Sequence, residues 1–82
     1  MNEKEELKEE LDQELEWVKY RQKMLDIMQG KLLQMRELAE QAKQENLTAG
    51  ELESINTKIN NLVAQVRAID SESRKTEYEK IL

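Results

Sequence analysis

From Asn2 to Gln44 the chain holds no proline and one glycine, Gly30, so nothing in its first half forces a helix to stop. Gly30 within a helix costs only about 1 kcal/mol relative to alanine. The second half adds a periodic signal: Leu52, Ile55, Ile59, Leu62, Val66 and Ile69 recur at alternating three- and four-residue steps. That spacing lays one apolar stripe along a helix, as in a coiled-coil seam. Between the halves, Glu45-Asn46-Leu47-Thr48 breaks the pattern. Thr48 is placed as an N-cap with Glu51 three residues on as its reciprocal partner, and Leu47 and Leu52 are spaced as a hydrophobic staple.

These signals predict an all-α fold: helix one over about residues 2–44, a turn at about 45–48, helix two over about 49–74 and a C-terminal segment over 75–82. So short a connection makes the helices antiparallel neighbours, giving a single domain in the form of a long coiled-coil-like hairpin. On helix one, Leu7, Leu11, Leu15 and Val18, then Leu25, Met28, Leu32, Met35, Ala39 and Ala42, follow heptad spacing, interrupted by Glu14, Arg21 and Gln22. Counting outward from the turn sets Leu52 near Ala42, Ile59 near Met35, Leu62 near Leu32, Val66 near Met28 and Ile69 near Leu25. Ser73 and Thr76 fall on the same stripe of helix two, so its apolar grip weakens beyond Ile69. Tyr78, Ile81 and Leu82 are spaced for a short terminal contact.

At 82 residues with 38% hydrophobic and 38% charged side chains and no Phe, the chain suits long helices better than a thick globular core. A chain this short buries only about 60% of the surface it exposes when unfolded, so stability is expected to come partly from association. The absence of Cys and His excludes thiolate and imidazole metal sites, disulfides, cysteine nucleophiles and Ser-His-Asp triads. Carboxylate pairs such as Glu37 and Glu40, or Glu51 and Glu53, read as solvated helix charges. No enzyme activity and no cofactor are expected.

Met1 to Glu16 carries eight acids against Lys4 and Lys8, a net −6; the remainder carries eleven bases against ten acids, a net +1. Neither half offers the basic stripe that phosphate binding needs, so nucleic acid is not an expected partner. The acidic end suits a solvated helix start, where carboxylates oppose the positive pole of the helix dipole. No run approaches the roughly 18 apolar residues of a membrane span, and the acidic start is unlike a signal peptide. A cytoplasmic location is expected; a secreted protein would need another route.

Trp17, Tyr20, Met24 and Ile27 form a second stripe on helix one, with Leu38 further along the same flank. One partner helix cannot cover both stripes. An open patch holding the only Trp and a Tyr has the composition of an interface centre, the alternative being that Tyr78, Ile81 and Leu82 fold back over it. The expected partner is a second copy, two hairpins closing into a four-helix bundle, or a helical segment of another protein.

The run Met35-Arg36-Glu37-Leu38-Ala39 with Gln41 and Ala42, followed by the helix-two stripe, Ile69-Asp70, and Thr76-Glu77-Tyr78 with Ile81-Leu82, resembles the N-terminal part of the bacterial flagellin rod over about residues 31–82. In that family a long helix ending in an R-E-L-A-x-Q-A type run turns back into a second amphipathic helix. The resemblance implies a motility-related helical protein without chemistry, contact roles for Arg36 and Leu38, and flagellar-type export as the route if the chain is secreted. It also frames a second role, that of a small chaperone or regulator gripping a helix of an export client. Departures are plain. The acidic stretch from Asn2 to Glu16 stands where flagellins carry an uncharged filament-core helix, Glu79-Lys80 stands at the family's Asn-Gly turn, and Gln34 replaces an arginine of the receptor-contacting surface, so receptor recognition is not implied.

Overall fold

The computed structural model describes the backbone of residues 2–81 and the side chains of residues 2–74. It contains two long helices packed against each other, α1 (Glu3–Gln44) and α2 (Ala49–Ile81), and no strand among the described residues. Contacts between them pair rising numbers on α1 with falling numbers on α2: Arg21 meets Asp70 and Ser73, and Lys31 meets Gln65. The helices are therefore antiparallel, and the molecule is a rod of 68 × 18 × 11 Å.

Local chemistry sets the ends. Asn2 caps α1, its Oδ1 accepting the Glu5 N–H at 2.9 Å, and Glu3, Glu5 and Glu6 occupy the first turn, where the dipole favours negative charge. At the other end the Glu45 N–H still reaches the Gln41 carbonyl (3.1 Å), but Glu45 itself is extended. Thr48 then starts α2 in the way its spacing predicts. Its Oγ1 accepts the Glu51 N–H (3.1 Å) and donates to Glu51 Oε1 (3.0 Å), which the Thr48 N–H also approaches at 3.5 Å. Every φ through this turn is negative among the described residues, so it needs no glycine.

α2 continues as helix to Ile81, past the boundary at residue 74 that the fading stripe suggests. The contact expected of Tyr78, Ile81 and Leu82 lies outside the described side chains.

Which side of α1 faces α2 differs from the register counted above. The residues of α1 withdrawn from solvent are Trp17, Arg21, Met24, Met28, Lys31, Met35, Leu38 and Ala42, stepping by four and three without a fault. Arg21 and Lys31 lie in that series and bond α2, so the series is the seam. Opposite it run Ile55, Ile59, Leu62, Val66, Ile69 and Ser73. Met28, Met35 and Ala42 are in the seam as expected, whereas Leu25 and Leu32, set opposite Ile69 and Leu62 by counting, face outward at 47% and 51% exposure. The reason is that α1 is apolar over a sector wider than α2 can cover, and the polar interruptions of the chosen side find partners on α2.

Candidate functional site

Three features of the rod could carry function: a polar layer inside the seam, a groove beside it and an apolar ridge outside it. The polar layer centres on Arg21, whose side chain is 16% exposed. Its guanidinium donates to Ser73 Oγ and to Asp70 Oδ1, the latter at 3.1 Å. Asp70 also accepts from Arg74 Nε one turn further on, at 3.0 Å. Ser73 is fully buried, and its hydroxyl donates back to the carbonyls of Ile69 (2.9 Å) and Asp70 (3.2 Å). Hydrogen bonds from Arg74 and then Arg21, with the charge of both cations behind them, hold the Asp70 carboxyl below its ordinary value of 3.8, against a smaller opposing effect of desolvation. The arrangement is that of a register pin: sliding α2 along α1 would pull the part-buried guanidinium away from both acceptors.

The groove, about 520 Å³, lies between the helices nearer the turn. Leu38 and Leu62 line it together with Gln34, Glu37, Gln41, Lys58, Asn61 and Gln65. It carries amides and two opposite charges, with no nucleophile activated by a base. No group of three or more His, Cys, Asp or Glu placed to hold a metal ion occurs among the described residues.

The ridge has no partner among the described residues. Leu11, Val18, Leu25 and Leu32 repeat every seven residues on α1 and are 47–56% exposed. Val18, Leu25 and Leu32 each follow a seam residue by one position, which sets the ridge about 100° around the helix from α2. Leu7 and Leu15 flank its N-terminal part and are equally open.

The residues singled out for an interface are divided by this geometry. Trp17, Met24 and Leu38 are half-buried in the seam, and the Trp17 indole N–H is shielded from solvent with no acceptor among the described residues. Tyr20 and Ile27 stand at the rim, 37% and 39% exposed, on the flank opposite the leucine ridge. Arg36 is well exposed and paired along its own helix with Glu40 at 3.2 Å. Ser73 is the residue that sequence reasoning left without a role, and the leucine ridge is the series that it placed in the seam instead of on the surface. The signal for Ser73 was present, since the same outward count that sets Ile69 near Leu25 sets Ser73 opposite Arg21.

The fold and its surfaces define an antiparallel two-helix coiled-coil hairpin. No known protein family, curated protein or solved structure matches the chain. No described helix is long and apolar enough to cross a membrane.

Proposed function

We propose that this protein is a non-enzymatic assembly module that acts by packing an exposed face of α1 against another helix, with two hairpins forming a four-helix bundle. The observation that carries this reading is the ridge Leu11, Val18, Leu25 and Leu32, open along a helix whose seam side is already engaged. Burying such a stripe offsets the entropy of ordering a long helix. The hairpin alone is thinly sealed: among the described residues only Met28 and Ile55 are apolar and less than a tenth exposed. Tyr20 and Ile27 supply a lesser contact on the opposite flank, and Trp17, Met24 and Leu38 support the surface from within the seam.

The flagellin-like part of the proposal rests on the block Met35-Arg36-Glu37-Leu38-Ala39 and the blocks after it, and with it go the motility role and the export route. The exposure of Arg36 leaves its guanidinium accessible to a neighbour, which favours a contact role there. The chaperone-like alternative uses the same ridge for a client helix, with the acidic N-terminal end steering basic segments.

Sedimentation velocity of the wild type against the double variant Leu25→Glu, Leu32→Glu tests the reading. Wild-type protein sediments as a complex, and the variant as a monomer of unchanged helicity. A wild type that stays monomeric at high micromolar concentration, with stability and solubility indifferent to the two substitutions, overturns it.

A further inference from the structure

The occupant of the ridge follows from its own pattern. Resting on the assembly reading above, we infer that the leucine ridge binds a second copy of this chain, the two α1 helices running antiparallel about a two-fold axis that passes between Val18 and Leu25. Three observations meet here. The ridge residues are evenly spaced, so reversing the helix superposes the ridge on itself, Leu11 over Leu32 and Val18 over Leu25. A two-fold interface requires that self-complementarity.

Charge selects the direction. A parallel pair would set the −6 of Met1 to Glu16 beside the same −6 of its neighbour. The antiparallel pair sets that stretch beside residues 27–42, where Lys31 and Arg36 balance Glu37 and Glu40. Like charges held side by side along a helix pair are destabilising, so the antiparallel arrangement is favoured.

Area supports a copy of this size. The chain exposes 6861 Å², whereas a compact protein of its mass exposes about 5,100 Å². That excess is spread along a thin rod, and its share on the ridge and flanks is what a second copy would cover, with roughly 800 Å² per partner the mark of a standard stable interface. The same pairing lays the first turns of α1 along the partner's α1 and gives the exposed Leu7 and Leu11 a surface to cover them.

The absence of native Cys makes the geometry directly readable. Single variants Val18→Cys and Leu25→Cys, mixed at tens of micromolar, allowed to exchange and then oxidised, should form the mixed disulfide in large excess. Leu11→Cys with Leu32→Cys should behave in the same way. Each variant oxidised alone should cross-link poorly, because its own counterpart lies about 10 Å or more away along the axis, beyond the roughly 7 Å that a disulfide spans between Cα atoms. Circular dichroism confirms that each variant folds. Strong same-site disulfides at all four positions would mean a parallel pair and overturn the inference while leaving the assembly reading intact. Monomeric wild-type protein of full helicity, with no cross-link in any mixture, would also overturn it and assign the ridge to a different helix.

Discussion

Arg21 shows how one charged side chain sits in an apolar seam without breaking it. Replacing Arg21 with Leu fits the heptad position and leaves Ser73 bonded to its own helix and Asp70 bonded to Arg74. Stability in urea should then hold within about 1 kcal/mol or rise, since a part-exposed ion pair contributes at most about that much. Asp70 has a different signature. Its folded carboxyl titrates below 3.8, so its contribution is complete above that value and is lost as pH falls through the lower folded one. Asp70→Asn should therefore flatten the decline of the melting temperature below about pH 4, read as the difference between variant and wild type across an acid series. At Trp17 the indole N–H is shielded and has no acceptor among the described residues; a buried unsatisfied donor loses its water, which costs stability. Trp17→Phe should stay within about 1 kcal/mol of wild type in urea, whereas Trp17→Ala should lose roughly 2 kcal/mol or more, since it also empties the seam.

Each helix is held by different means, and their end signals are separable from their packing. Thr48→Ala removes both the acceptor and the donor that tie Thr48 to Glu51 and should cost about 1 kcal/mol, seen in a chemical melt. Gly30→Ala should do the opposite: a methyl placed there meets nothing within 4 Å, so the gain in helix propensity, about 0.5–1 kcal/mol, comes without a clash. The turn and the stripe of α2 were legible in the sequence because both are local, written in residues three or four apart. The side of α1 that faces α2 was not. Trp17-Met24-Leu38 and Val18-Leu25-Leu32 lie one residue apart on a broad apolar sector, and a count of apolar positions prefers the series containing the leucines. What decides between them is non-local: Arg21 and Lys31 are tolerable in a seam only because Ser73, Asp70 and Gln65 meet them from the other helix. Apolar periodicity treats those polar residues as faults, whereas in three dimensions they face one another.

The whole molecule is a rod with very little interior. Its midpoint of unfolding should therefore depend on protein concentration if the ridge is closed by a second copy, because association stabilises the folded form by mass action. A thermal melt at about 1 µM should fall several degrees below one at about 100 µM, and the Leu25→Glu, Leu32→Glu variant should lose that dependence. The single Trp sits near the end remote from the turn, where the apolar stripe of α2 has already given way to Ser73. In the monomeric Leu25→Glu, Leu32→Glu variant its fluorescence consequently reports the half of the hairpin remote from the turn, whereas ellipticity averages over the full length. Followed by the two signals together, a melt of that variant should yield two midpoints, the fluorescence one earlier. That mismatch would imitate a populated intermediate while reporting a graded zipper that opens from its loose end.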